Sequence, residues 1–403
     1  MRAGLRVVLA LLLALCAAAA AAQAPVRVGV VTMAPGTEYW SRFGHNAVLV
    51  DDPAAPEPVM YNYGFFDFEA PGFLTNFLRG KMEYLLVALP AREDLRQYDI
   101  EGRGAIVQWL DVEPAAAGEL AAFLEWNAQP ENATYRYDYF TDNCSTRVRD
   151  AVDRALDGAL RRQLETRSRG LTYRSEALRL GQPTLWLALG MHFGLGPYAD
   201  RPLSRWDEAF VPSRLAEALR EMRSTSGGPL VVAETEILPQ RIAAEPAQEP
   251  RWVWRFLGVG LALSAGMLLV AARAPRAAGA LAAGYWAVTG AAGVWLAALW
   301  LATDHVAGWA NENLLLASPL ALALVPGALA LARGRAPGGA FMVLLTVVSL
   351  MAATAGFLKL LPFRIQDNLD WVALLLPIQL ALLVVTSRGP AQARPGPAAA
   401  HAR

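Results

Sequence analysis

Apolar positions are distributed very unevenly along the chain. Apolar runs lie at about 253–272, 281–301, 314–332, 340–361 and 369–386, each close to the roughly twenty residues that span a bilayer core. A core helix of a soluble protein can imitate one such run, but not five in succession. Residues 23–250 instead read as a mixed globular sequence. The pattern predicts a domain over 23–244, a linker over 245–251 containing Glu245-Pro246-Ala247-Gln248-Glu249-Pro250, and an all-α transmembrane bundle of about five helices over 252–387. Residues 388–403 read as a disordered cytoplasmic tail.

Within the globular part, Val26–Val31 and Ala47–Val50 look like strands, and Met60–Phe68 is aromatic-rich. Phe73–Leu78 suits a short helix. Glu83–Leu89 and Ala105–Val112 carry the β-branched and aromatic residues of strands bounded by Pro or Gly. Pro114–Trp126 has helical spacing, whereas Tyr135, Tyr137 and Tyr139 alternate with Arg136 and Asp138 as in a half-buried strand. Helices at both ends of a run of short strands indicate an α+β domain.

The first twenty-two residues carry Arg2 and Arg6, then Val7–Leu15, then Ala20-Ala21-Ala22. A positive start, a short apolar core and a small-residue cleavage site predict a signal peptide over 1–22; a retained signal anchor is the alternative. Leu15 stands before Cys16 where a lipoprotein cysteine would want a small residue. Export sets residue 250 outside the cytoplasm, so the first span runs inward. The loops then inside carry Arg273 and Arg276, next Arg333 and Arg335, and finally Arg388, Arg394 and Arg403. The outer loops carry Asp304, His305 and Glu312, then Lys359, Arg364, Asp367 and Asp370. This is the positive-inside distribution, and it predicts a multi-pass inner (cytoplasmic) membrane protein with a periplasmic N-terminal domain.

Hydrophobic residues make up 55% of the chain and the formal net charge is zero, which excludes a basic nucleic-acid field. With Cys16 cleaved, Cys144 is the one cysteine left, so no intramolecular disulfide forms. A lone thiol in an oxidising compartment is either buried or used. Around it, Thr141-Asp142-Asn143-Cys144-Ser145-Thr146 opens a helix in which Val148, Val152 and Leu156 recur at four-residue steps, with Asp142 or Asn143 as N-cap. Cys144 falls in the first turn, where N–H groups and the dipole favour thiolate. The surround is unusually polar for packing alone and points to a nucleophile, with a buried structural cysteine as the alternative.

A thiol nucleophile needs a base, and the domain offers His45 and His192. His45 opens a strand after Gly44; His192 lies in an apolar helical stretch and reads as packed. Two histidines and one cysteine far apart give no zinc spacing, and no phosphate loop or dinucleotide fingerprint is present, so no metal or cofactor is called for. The outer loop holding His305, Asn311 and Asn313 is denser in polar groups than a connector needs. It reads either as a solvated cap or as a contact for a headgroup or substrate.

Three blocks then form a recognisable series: Phe43-Gly44-His45-Asn46, Tyr61-Asn62-Tyr63-Gly64-Phe65-Phe66-Asp67-Phe68, and Tyr137-Asp138-Tyr139-Phe140-Thr141-Asp142-Asn143-Cys144-Ser145-Thr146-Arg147. Over about residues 27–240 the chain resembles the Lnb N-terminal periplasmic domain family, and its membrane half resembles the C-terminal part of full-length Lnb-type proteins. The arrangement is also similar to permuted NlpC/P60-like thiol enzymes, which place the histidine strand ahead of the Asn-Cys helix. The resemblance implies an α+β papain-like fold with Cys144 as nucleophile and His45 as base. It leaves the third, orienting group open among Asn62, Asp67 and Asp142. It further implies lipoprotein N-acyl transfer, with a phospholipid acyl donor and a lipoprotein acceptor. A thiol amidase or peptidase acting on envelope peptides, and a non-enzymatic lipid- or lipoprotein-binding protein, are the competing readings.

Overall fold

The computed structural model describes residues 24–387; the expected signal peptide and cytoplasmic tail lie outside them. The chain forms two compact units. One holds the chain up to Leu171 together with Pro202–Ala247, and the other holds Thr172–Arg201 together with the chain from Gln248 onward. The passage near residue 247 falls in the expected linker, whereas the membership of 172–201 in the second unit was not expected from the sequence.

The first unit is built on seven strands: β1 (Arg27–Met33), β2 (His45–Asp51), β3 (Val59–Phe65), β4 (Glu83–Pro90), β5 (Ala105–Leu110), β6 (Thr134–Arg136) and β7 (Val231–Leu238). They pair antiparallel in the order β6-β4-β3-β2-β1-β5-β7. Its helices are α1 (Phe73–Arg79), α2 (Ala91–Glu101), α3 (Pro114–Asn127), α4 (Cys144–Ala155) and α5 (Ala159–Leu164). After the residues given to the other unit come α8 (Arg205–Glu208) and α9 (Pro212–Glu221), since α6 (Tyr173–Gly181) and α7 (Leu185–Gly194) belong to the second unit.

Alternation along the central strands gives the sheet two apolar faces. Val28, Val30, Val48, Val50, Tyr61 and Tyr63 face the helix α4 side, where Val148, Ala151 and Val152 at i, i+3 and i+4 are buried against them. Val31, Ala47, Leu49, Met60 and Val107 face the other way, towards Leu95 and Tyr98 of α2. Full burial of each Val148- or Val152-sized side chain contributes about 1.5–3 kcal/mol, so the α4 face alone fixes that helix across the sheet.

In the second unit, five helical segments are long and apolar enough to cross a membrane: Val253–Arg273, Pro275–Ala302, Glu312–Ala332, Gly339–Leu358 and Leu369–Ser387. We call the first two α10 and α11, the regular α-helical end of the third α12 (Val325–Ala332), and the last two α13 and α14. The third span differs from the expected simple helix. It begins as 3-10 turns over Glu312–Leu315 and Pro319–Leu324, because Ser318-Pro319 interrupts the backbone ladder. Close backbone approach is provided by small residues: a Cβ on Gly260 of α10 would sit 2.6 Å from Leu374 O of α14.

The outer loops of this unit hold the C-terminal end of α7. Asn311 Nδ2 lies 2.9–3.1 Å from the carbonyls of Phe193, Gly194 and Leu195, and Asn313 Nδ2 donates to Phe193 O at 2.9 Å. Their own oxygens accept from Gln366 and Asn368. His192 Nε2 meets Asp370 Oδ2 at 2.9 Å, and Arg174 forms a two-point pair with Asp200 at 2.8 and 2.9 Å. Asn311 and Asn313 are 2% and 0% exposed, so they cannot meet a headgroup; the substrate contact expected of them is corrected to a structural role. His305 is half-buried in the turn after α11, where its N–H donates to Thr303 Oγ1. Replacing Asn313 with Ala removes one of two donors to Phe193 O and strands the buried Asn368 amide, at a cost of about 1–3 kcal/mol. The Asn313→Ala protein should therefore unfold at lower temperature in detergent and accumulate less; an unchanged melting midpoint would refute the structural role.

Candidate active site

Between β6 and α4 the chain turns on Asp138, whose Oδ1 accepts from the N–H groups of Phe140 and Thr141. Asn143 then caps α4. Its Oδ1 accepts from Thr146 N at 3.0 Å while Thr146 Oγ1 accepts from Asn143 N at 2.8 Å, a reciprocal capping box. The Asn143 amide also donates to Tyr139 O and Phe210 O, so this asparagine ties the helix start to two other segments. Ser145 Oγ lies 2.8 Å from Asn46 Oδ1 and 2.7 Å from Ala209 O. Asn46 in turn donates to Thr32 Oγ1 at 2.8 Å. The first turn of α4 is thereby pinned to the start of β2.

Cys144 is the first residue of that helix and carries a free, partly buried thiol. Burial pushes the thiol above its usual range, against the opposing pull of backbone N–H groups from Asn46, Ser145 and Cys144 itself and of the Arg103 charge. The expectation that the helix N-terminus would favour thiolate is thus overturned: desolvation outweighs the dipole, and the resting group is a neutral thiol.

His45 opens β2, immediately before the Asn46 N–H that reaches the sulfur. Burial holds its imidazole down at about 4, offset in part by the hydrogen bond with Asn62. His45 Nε2 lies 3.0 Å from Asn62 Oδ1, and Asn62 Nδ2 donates to Asp94 Oδ2 at 2.9 Å. This chain fixes the tautomer. An ionised Asp94 only accepts, so the Asn62 amide nitrogen must face it and the Asn62 oxygen must face the imidazole. Nε2 of His45 therefore carries the proton, and Nδ1 keeps the lone pair of a base. Tyr98 stacks on the imidazole with centroids 6.4 Å apart and rings 13° from parallel. Arg103 lies over Tyr98 and acts electrostatically on both His45 and Cys144.

Two further features lie beside the thiol. Gly64 has φ +98°, a conformation that favours glycine, and a Cβ there would lie 3.4 Å from Cys144 Cβ and 3.8 Å from Tyr135 Oη, in ordinary contact with both. Tyr135 is 8% exposed and its hydroxyl has no hydrogen-bond partner among the described residues. A buried hydroxyl left unpaired beside a thiol is a ready donor to a carbonyl oxygen bound there.

Of the residues singled out in the sequence, His45 is hydrogen-bonded to Asn62, and Cys144 is reached by the N–H of Asn46, the residue after His45. Asp142 is turned to Arg147, with Oδ2 2.7 Å from Nη2 and a second contact to Nε, and is neither the N-cap nor the partner of His45. Asp67 is exposed and accepts from Glu69 N in a local turn. Neither lies against His45, whose side-chain partner is Asn62. His192 is buried in the second unit on Asp370, as expected of a packed histidine. Asp94 and Tyr135 were missed. Asp94 lies on a helix with no motif around it, and Tyr135 is one of three alternating tyrosines that the pattern treats alike.

Residues 17–178 match the Lnb N-terminal periplasmic domain, and residues 252–388 match the Lnb transmembrane domain. Cys144, His45, Asn62, Asp94 and Tyr135 all lie inside the first match, and all five apolar spans lie inside the second. No curated protein and no solved structure matches the chain. Two matches in this order over most of the sequence make the chain a membrane protein of the Lnb family, with a periplasmic N-terminal domain followed by five apolar helices.

Proposed function

We propose that the protein is an inner-membrane acyltransferase that moves an acyl chain from a phospholipid to the N-terminal amine of a lipoprotein through a thioester on Cys144. The observation that carries this reading is a buried thiol at the start of α4 that is reached by the Asn46 N–H, one residue after an imidazole held by Asn62 and Asp94. In the first half-reaction His45 takes the thiol proton as sulfur attacks the ester carbonyl. The C–S bond forms, the ester C–O bond breaks, and His45 returns the proton to the departing lysophospholipid alkoxide. In the second, the lipoprotein α-amine attacks the thioester, an amide N–C bond forms, and the proton released passes through His45 to the thiolate. Tyr135 Oη would donate to the carbonyl oxygen as it gains charge in both halves.

Membrane tethering supports transfer of lipid-borne groups. Both substrates are held in the bilayer, so a site attached to five spans meets them at raised effective concentration. A cell-wall amidase working on soluble peptide has no such need.

Intact-protein mass spectrometry after incubation with phospholipid vesicles tests the reading directly. The wild type should gain one acyl mass on Cys144, and adding a lipoprotein peptide with a free α-amine should discharge it. An adduct on neither Cys144 nor the peptide would remove the acyltransferase assignment. Cys144→Ser and His45→Ala should both abolish the adduct. Tyr135→Phe should retain it but form it on the order of 10²-fold more slowly, as for loss of one oxyanion donor; formation at the wild-type rate would dismiss the hydroxyl. The pH profile follows from the two groups. His45 is the free base above about 4, so the rate should fall only as pH drops through that value. The thiol stays protonated up to the alkaline side of its usual range, so no neutral-pH rise from thiolate formation is expected. A rate that instead halves near the ordinary histidine value of about 6.5 would contradict a buried, neutral His45.

A further inference from the structure

Directly after Gly64, the chain leaves the sheet and presents apolar side chains to solvent. Phe65 is 52% exposed, Phe68 60%, Leu74 66% and Leu78 60%. Helix α1 has no buried residue at all, which is unusual for a helix reading Phe-Leu-Thr-Asn-Phe-Leu-Arg. The segment is nevertheless held in place from beneath. Phe66 packs on Phe68, Phe73 and Tyr84, with centroids 4.7, 6.0 and 5.0 Å away, and Tyr84 stacks on Tyr137 at 4.2 Å. Tyr137 in turn is electrostatically coupled to Cys144. An ordered aromatic layer therefore runs from the thiol to the underside of an exposed apolar apron.

Exposed Arg79 and Lys81 stand at the C-terminal end of α1, while the exposed Asp67 and Glu69 precede it. Apolar residues on one side with basic residues at the margin make the pattern of a segment lying in a lipid–water interface. A water-filled compartment would not favour such a surface, and this chain carries five spans of its own a few residues after Ala247. We propose that Phe65, Phe68, Leu74 and Leu78 enter the outer leaflet of the bilayer, with Arg79 and Lys81 at the depth of the lipid phosphates, and deliver the acyl ester of a bilayer phospholipid to Cys144. The inference rests on the acyl-transfer reading for its substrate, and the apron is the surface by which that substrate is reached.

The test uses the full-length protein in vesicles of phosphatidylethanolamine and phosphatidylglycerol. In a Cys144→Ala background, an environment-sensitive NBD dye on Leu74→Cys should show blue-shifted emission and quenching by lipids doxyl-labelled near the headgroup. Water-like emission, or quenching only when a lipoprotein is added, would overturn the proposal in favour of a free or protein-binding surface. The paired activity measurement compares Cys144 acylation from vesicles with acylation by a soluble p-nitrophenyl ester. The double variant Leu74→Ser, Leu78→Ser should slow the vesicle reaction at least about tenfold more than the soluble one, in keeping with the loss of apolar burial from two leucines. Equal slowing of both reactions would also overturn it. If the wild type shows no phospholipid adduct while the dye is still quenched, the acyl-transfer reading fails and the membrane-entering apron stands.

Discussion

The site depends first on how the start of α4 is pinned to the end of the sheet. Three side chains do this: Asn143 closes the helix end and reaches Tyr139 and Phe210, Ser145 bridges to Asn46 and Ala209, and Asn46 is anchored on Thr32. A cap of this kind contributes about 1 kcal/mol, less than the burial of Val148 and Val152 beneath it. The apolar face therefore decides that the helix lies on the sheet, and the polar pins decide where its first turn stops. The position of the Cys144 sulfur depends on the second decision. It sits on residue 144, and the N–H that reaches it belongs to Asn46, next to the histidine.

The same pinning explains why the thiol is neutral. A helix N-terminus is worth roughly 0.3–1 kcal/mol to an exposed anion, and each pKa unit corresponds to about 1.4 kcal/mol. Enclosing the sulfur among Tyr135, Tyr137 and the sheet end costs the thiolate more than the dipole returns. The imidazole is subject to the same penalty in the opposite direction, so both partners are uncharged at rest. For a free thiol in an oxidising compartment this arrangement has a chemical advantage. The thiolate is the species that oxidants and stray electrophiles attack, and here burial disfavours it at rest.

What the sequence disclosed follows from which constraints are local. Bilayer thickness acts on consecutive residues, so five spans could be read directly. Cys144, His45 and Asn62 stand in short blocks whose order is distinctive. Asp94 could not be read, because its role exists only once α2 folds back over β3 and brings it against an asparagine 32 positions earlier. The sign of the Cys144 shift was misjudged for a related reason: the dipole is a property of the helix, visible in the cap residues, while the larger desolvation term comes from β2, β3 and the tyrosines. Residues 172–201 were assigned to the periplasmic domain because α7 has only ten residues, too short to read as a span.

The polar outer loops of the membrane unit illustrate how such a misreading arises. A helix leaves its last four carbonyls without internal partners, and α7 ends among aromatic side chains, where water does not supply the missing donors. Arg174 donates to the carbonyls of His192 and Leu195, while Asn311 and Asn313 serve Phe193, Gly194 and Leu195. The asparagines of the loop between the second and third spans are thus a C-terminal cap supplied from another part of the chain. In sequence they are indistinguishable from ligand-binding amides, because a lipid phosphate ester and a peptide carbonyl ask for the same N–H donors. Burial separates the two cases. Amides turned to orphaned carbonyls at 2% exposure or less are closed to a substrate, so chemistry has to be sought where a buried donor is still unspent, as at Tyr135 Oη.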